Sequence, residues 1–407
     1  MNVLMLCNKS PFPAGEGGPM AMNSIVRGLI NAGHNVKILA VNSEKYHITE
    51  KDIPASYKKE TGIELVDVDL KVRPLAAFKN LFSDKSYHVE RFISEDFKKK
   101  LVKILKKDKY DIVQLEMIYM APYIETIREN SDAIIVLRAH NVEHLIWDRI
   151  AKKTKFLPKR LYLNHLVRTL KNYEMSVLDK VDGIAAITYR DAAFFRGETA
   201  VPVIDIPYGI NPDEFDPHYE VKSEPTLYHI GSMNWMPNEE GIYWFLDKVW
   251  DKVAKRNPGL QLNLAGRNMP KWLLKLKKKN VNILGEVPDA KEFVKNNDIA
   301  IVPLLSGSGI RIKIIESMAM GKTVITTMVG AEGIQYSEYE NIIIADSPGK
   351  MVEVICKIIK EPNEAQRIGW NARRLVEDVY DNKKIIERLL IFYDEISMKR
   401  KDVTHIN

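Results

Sequence analysis

Cysteine is nearly missing from this chain: Cys7 and Cys356 are the two it has in 407 residues. They are too few and too far apart for a disulfide framework or a thiolate metal site, which fits a reducing, cytoplasmic setting. Long apolar runs are missing too. The first, residues 3–7, stops at Asn8-Lys9, too short for a signal peptide or a membrane-crossing helix, and no later run reaches that length. Neither sign of charge dominates. The net charge of +6 suits a polyanionic or membrane-surface partner without requiring one, and no nucleic-acid partner is expected. A dinucleotide fingerprint fails as well, because Gly15-x-Gly17 would need a third glycine where Met20 stands. That weakens an oxidoreductase reading.

What is present is ordinary globular composition, 45% hydrophobic and 28% charged, in a chain longer than one core usually serves. Short apolar runs alternate with amphipathic helical stretches. Residues 3–7, 36–41, 63–69, 111–116, 133–137 and 183–188 read as strands, several continuously apolar as buried parallel strands are. The alternation restarts after Pro225, with strands expected at 227–230, 260–265, 281–284, 299–305, 323–327 and 342–345. The pattern predicts an α/β protein of two doubly wound, Rossmann-like domains, residues 1–207 and 208–375. They are joined through a stretch with four prolines between Pro207 and Pro225 and followed by a helical segment, 376–407, expected to pack back on the first domain. Ligands of such sheets bind outside the carboxyl ends of the strands, so two facing sheets would form an interdomain cleft.

The most informative stretch is Ser306-Gly307-Ser308-Gly309-Ile310-Arg311-Ile312-Lys313-Ile314-Ile315-Glu316. It follows an apolar run and leads into a helical pattern, a strand, loop and helix junction whose free N–H groups and helix dipole attract an anion. Arg311 and Lys313 add full charges, which points to a diphosphate. Glu316 would repel phosphate, but three residues beyond Lys313 it can accept hydrogen bonds from ribose hydroxyls. The expected ligand is a nucleoside diphosphate carrying a further group.

Other loops at strand ends carry candidate chemistry. Gly17 and Gly18 let backbone approach a phosphate or sugar closely. In Arg138-Ala139-His140-Asn141-Val142-Glu143-His144, His140 stands where it can donate to a hydroxyl or steady developing charge; His144 is either its neighbour in the site or a helix surface residue. His34, in a turn, reads as structural. Asp67-Val68-Asp69 imitates a metal-binding carboxylate pair but lies in an alternating strand pattern, and no metal site is expected. Gly321-Lys322-Thr323 imitates a phosphate loop but lacks its earlier glycine and precedes a strand. The lysine-rich face of residues 97–107 is explained by solvation; with Lys152, Lys153, Lys155, Lys159 and Arg160 it also allows weak docking on an anionic membrane.

The order of these parts resembles the retaining glycosyltransferases of family 4, which have the GT-B fold, and the resemblance runs through nearly the whole chain. Gly17-Gly18 matches the N-terminal glycine loop and Pro207-Tyr208-Gly209-Ile210 the hinge. Ile230-Gly231-Ser232-Met233-Asn234-Trp235 resembles the opening of the second domain in a bacterial subgroup that makes surface polysaccharides. Glu316-Ser317-Met318-Ala319-Met320-Gly321 matches the pattern Glu-Ala-Met-Ala-x-Gly. The resemblance implies that Glu316 binds ribose, that Gly309 and Ile310 hold donor-sugar hydroxyls by their backbone, that His140 contacts the donor sugar, and that Glu286 and Val287 lie against the base. It departs at Ser308, where the family usually has a glutamate eight positions before the ribose carboxylate, and at the loop after residue 230, which lacks the usual arginine and lysine. Arg311 and Lys313 are expected to take over that charge, with Arg267 a weaker candidate. The resemblance implies a metal-independent, cofactor-free transfer of a hexosyl unit from a nucleotide sugar to a glycan or lipid-linked acceptor. Two rivals stay open: a nucleotide-sugar 2-epimerase, and a sugar-nucleotide-binding pseudoenzyme.

Overall fold

Every strand pairing among the described residues is parallel. The computed structural model describes residues 1–15, 17–217, 222, 224–307 and 309–406, the last six by their backbone alone. Strands β1 (Asn2–Cys7), β2 (Asn35–Asn42), β3 (Glu64–Asp67), β4 (Ile112–Glu116), β5 (Ile134–Ala139), β6 (Gly183–Ala186) and β7 (Val203–Asp205) form a sheet in the order β3-β2-β1-β4-β5-β6-β7. A second sheet takes β8 (Thr226–Ile230), β9 (Gln261–Ala265), β10 (Val281–Gly285), β11 (Ile299–Val302), β12 (Thr323–Thr326) and β13 (Ile343–Ile344) in the order β10-β9-β8-β11-β12-β13. Both orders are doubly wound, with the direction of winding reversing between β1 and β4 and between β8 and β11.

Burial explains why these strands read as unbroken apolar runs. β4, β5, β6, β11 and β12 are buried at every position, because helices cover both faces of each sheet. The run expected to 305 ends at Val302, before Pro303, which has no N–H to give a ladder. β7 is additional to the expected strands. It has three half-buried residues, too few for a periodic signal.

The chain divides into two compact units, Met1–Gly209 with Ile385–Asn407, and Ile210–Lys384. Residues 376–384 of the expected last segment therefore stay with the second unit, whereas most of the helix Asn382–Ile406 belongs to the first. Ile385, Leu389, Phe392 and Ile396 recur every three or four residues and bury with Val3, Met5, Ile112 and Val136 under the first sheet. Gly183 lies beneath this helix; a Cβ there would collide with Ile396 and press on the Phe392 ring. The Tyr393 hydroxyl donates to the Gln114 side chain from the same helix. No helix among the described residues is long and apolar enough to cross a membrane.

Candidate functional site

In the second unit the carboxyl ends of β8, β9 and β10 are tied through glycines. Gly231 donates its N–H to Ala265 at 3.1 Å, and Gly266 donates to Gly285 at 2.7 Å. Gly266 has φ 150°, and a Cβ on it would strike the Gly231 carbonyl, so only glycine lets these loops lie this close. Gly241 brings the helix Met236–Phe245 against the Pro303 carbonyl in the same way. After β11 the chain turns on Gly307 and Gly309, both at positive φ, and enters the helix Ile312–Ala319. Among the described residues the N-cap residue, Arg311, makes no side-chain capping bond, so the first amides keep their capacity for an anion.

Lys313 stands in the first turn of this helix. Its ammonium donates to Asn238 Oδ1 at 2.6 Å, Asn238 in turn donates to the Ser232 carbonyl at 2.8 Å, and the amine fills the space a Gly231 side chain would need. Burial pulls its pKa down to about 7; the Arg311 charge acts in the same direction and Glu316 against it. Glu316 is pushed up to about 7, again by burial, with Lys291 and Lys313 opposing. Two oppositely charged groups one turn apart thus both titrate near neutrality. Arg311 is used differently. It is buried, packs over the Trp235 ring at 5.4 Å, and donates to the Gly309 carbonyl at 2.5 Å, holding the loop that leads to the helix. His229, in β8, donates its Nδ1–H to the Ile301 carbonyl at 2.8 Å, and burial with the Lys313 charge lowers its pKa.

The remaining expected residues of this unit lie in the loops that follow β9, β10 and β11. Ile310 and Val287 are half-buried, Glu286 and Arg267 are exposed, and the Arg267 carbonyl accepts the Met233 N–H at 2.9 Å. Ser308 lies outside the described residues. Lys322 is buried and donates to the Lys295 carbonyl at 3.1 Å, beyond a helix end closed by Gly321 at φ 70°, so its resemblance to a phosphate loop is superficial.

In the first unit the register sets Cys7, Glu116 and Arg138 side by side at the ends of β1, β4 and β5. Glu116 is fully buried and accepts from Gln114 at 2.5 Å and from His140 Nε2 at 2.6 Å, with Arg138 Nε 3.7 Å away. Burial lowers the His140 pKa more than Glu116 raises it, and the Arg138 and Lys9 charges push the same way. A neutral imidazole donating Nε2–H to the carboxylate follows, which leaves Nδ1 as an acceptor. The next residue after β4, Met117, takes φ 73°, a conformation L residues adopt only under constraint. Gly17 opens the helix Gly17–Asn31, and the Lys9 side chain arches over Gly18 at 3.1 Å from where a Cβ would stand.

His144 belongs to a second pair. Its Nδ1 lies 2.6 Å from Glu174, which also accepts the backbone N–H groups of Glu143 and His144 at 3.0 and 3.3 Å. A buried carboxylate at the start of the helix Glu143–Lys153 thereby satisfies two orphan donors and the dipole together, and fixes His144 as a structural residue. Glu143 is pushed up to about 7 by burial and accepts from Tyr119 at 2.9 Å. Asp67 and Asp69 are engaged elsewhere, with Asn42 at 2.7 Å and Arg73 at 2.8 Å. His34 bonds the N-terminal amine at 3.0 Å.

Lys9, Glu116, Glu174 and Asn238 were not expected. For Lys9 and Glu116 the signal was available: each is a charged residue at or just past the carboxyl end of a buried strand, the argument already applied to His140. Glu174, thirty residues from His144 in sequence and on the next helix, has no local signature.

Residues 224–361 match the family described as glycosyl transferases group 1. The chain is 21% identical to a protein of Klebsiella pneumoniae described as an uncharacterized 44.6 kDa protein in the cps region, covering 95% of this chain and 98% of that one. Sucrose-phosphate synthase from Thermosynechococcus elongatus shares its fold with a TM-score of 0.66 at 15% identity, over 97% of this chain and 99% of that one. Anabaena HepE, solved in complex with UDP-glucose, does so with a TM-score of 0.62 at 12% identity, over 97% and 100%. The second unit thus carries the match to the group 1 glycosyl transferases, within a chain that has the GT-B fold.

Proposed function

We propose that this transferase moves a hexosyl unit, with retention of configuration, from a nucleoside-diphosphate sugar to a glycan or lipid-linked acceptor in surface-polysaccharide synthesis, working in the cytoplasm. The observation that carries the reading is that Lys313 and Glu316 stand one turn apart near a helix start whose N-cap residue, Arg311, makes no side-chain capping bond among the described residues, each displaced to about 7 by burial. Lys313 and the first helix amides serve the diphosphate, and Glu316 accepts from the ribose hydroxyls. The cps-region relative and the UDP-glucose bound to HepE support a polysaccharide product and a uridine-diphosphate donor.

The chemistry needs little from side chains. The bond from the anomeric carbon to the diphosphate breaks, the acceptor oxygen bonds to that carbon on the same face, and the acceptor proton leaves with the departing diphosphate. Lys313 and the helix amides stabilise the negative charge that develops there. Neutral His140, held in one orientation by Glu116, serves the transferred sugar through hydrogen bonding. Glu116 and Glu143 are both already bonded to neighbouring side chains, which supports transfer over an acid/base epimerisation.

Thermal-shift screening with UDP, UDP-glucose and their analogues identifies the donor, since ligands of the folded state raise its stability. Incubation of that donor with candidate acceptors, followed by proton NMR of the anomeric signal, then tests the reading. An α product from an α donor is expected. Epimerised donor without acceptor would establish the epimerase, and tight binding with no product from any pair the pseudoenzyme.

A further inference from the structure

The first unit carries an apolar surface that its own fold leaves uncovered. The helix Pro74–Asn80 buries Ala77 against Ala151, Leu163 and Leu166 of the helices Glu143–Lys153 and Leu157–Leu178. Its opposite side, Leu75 and Phe78, continues to Phe82 past the helix end with spacings of three and four, one helical stripe. Leu75 is 79% exposed, Phe78 61% and Phe82 83%, and the two phenyl rings meet edge to face at 5.7 Å.

A second stripe lies beside the first. Leu157, Leu161, His165 and Arg168 follow one another down one face of their helix at three- and four-residue steps. His165 bonds the Asn80 carbonyl at 3.0 Å, and Arg168 reaches Asp84 at 3.8 Å, so this face runs along residues 80–84. Leu157 and Leu161 extend it, and Phe156 before them is 68% exposed. Single exposed apolar residues need no explanation, whereas six large ones on adjoining stripes do.

Charge selects the partner. Residues 149–161 carry six cations and no carboxylate. Lys71, Arg73 and Lys152 are paired with Glu44, Asp69 and Asp148. Lys79, Lys153, Lys155, Lys159 and Arg160 are exposed, with no ion-pair partner among the described residues. A second copy of the chain would bring the same cations face to face. A surface of phenyl and leucyl side chains rimmed by lysines instead matches the boundary between acyl chains and anionic headgroups.

We propose that Leu75, Phe78, Phe82, Phe156, Leu157 and Leu161 insert into an anionic phospholipid bilayer while the surrounding lysines bind its headgroups, docking the enzyme on a membrane. This goes beyond the donor reading and does not depend on it. It also differs from the expectation drawn from the lysine face of residues 97–107, whose helix supplies cations but keeps Phe97, Leu101 and Leu105 buried.

Flotation of the full chain with extruded vesicles tests it. The protein is expected to float with phosphatidylcholine vesicles containing phosphatidylglycerol, to stay behind with phosphatidylcholine alone, and to be released by salt. Phe82→Ser with Phe156→Ser should weaken partitioning about tenfold or more at unchanged melting temperature, because both rings already face solvent. Lys155→Glu with Lys159→Glu should do the same, and Lys99→Gln with Lys103→Gln should leave binding unchanged. Equal flotation with neutral vesicles, or full flotation of the Phe82/Phe156 variant, would overturn the proposal. So would sedimentation showing that this variant splits a dimer while its vesicle binding is untouched.

Discussion

The Lys313 ammonium and the Gly231 α-carbon occupy adjoining space: the amine, fixed 2.6 Å from Asn238 Oδ1, sits where a side chain on Gly231 would begin. A glycine at the end of one strand thus sets the position of a cation on a helix that follows another.

Gly231→Ala should therefore uncouple binding from folding. The added methyl meets the far ends of two flexible side chains, Lys313 and Asn238, which can yield at small cost. The chain should stay folded with a melting point near that of the parent. Affinity for a nucleoside diphosphate should fall about tenfold or more as the cation is displaced. Calorimetry measures it, and an unchanged dissociation constant would remove Lys313 from the diphosphate site.

Proton uptake should accompany diphosphate binding. Lys313, lowered from 10.5 to about 7, is largely neutral at pH 8 in the ligand-free chain, and an adjacent phosphate favours its charged form. Affinity for a nucleoside diphosphate should rise from about pH 8 to about pH 6.5 more than affinity for the nucleoside does. Titrations in buffers of different ionisation enthalpy give the proton count. Equal counts for the two ligands would contradict the assignment.

For stability the two groups act in opposite directions. A depressed lysine contributes stability above 10.5 that is lost as pH falls toward about 7, and a raised carboxylate contributes below 4.5 and is lost as pH rises through about 7. Glu316→Gln should accordingly raise the melting temperature at pH 8, where the buried carboxylate is ionised, and change it little at pH 5. The same variant should weaken donor binding by roughly 1.5 to 3 kcal/mol through loss of charge-assisted hydrogen bonds to ribose. A variant both less stable at pH 8 and unimpaired in binding would argue that Glu316 is structural.

Glu116→Gln tests the first unit. It removes the negative charge beside Arg138, which is fully buried and whose Nε and Nη2 have no hydrogen-bond partner among the described residues. Breaking a buried pair from one side costs about 3 to 5 kcal/mol, so urea unfolding should shift strongly. Glu116→Gln combined with Arg138→Met should recover much of that loss while activity stays low, as the role proposed for His140 requires. Recovery of full activity would show that the carboxylate serves packing alone.

The two sheets were legible because burial on both faces forces continuous apolar strands, and loops that need backbone approach are marked by glycine. The loop after β11 announced its helix and its charges in the same way. What was not legible is pairing across sequence distance. Arg311 and Lys313 are equivalent cations on paper; the Trp235 ring and the Gly309 carbonyl draw one into the loop, and Asn238 draws the other to the strand end. Glu116 read as the last residue of a strand, and only the register with Arg138 reveals it as the acceptor that fixes His140.

The return of residues 385–407 to the first unit orders events during synthesis. Its sheet is made first, yet the underside at Val3, Met5, Ile112 and Gly183 waits for Phe392 and Ile396, which leave the ribosome only after the entire second unit. The nascent first unit must therefore persist with an open apolar face until those residues have emerged. A chain cut short just after residue 384 would strand it there, a ready target for chaperones and proteases even though every residue of the second unit had been made.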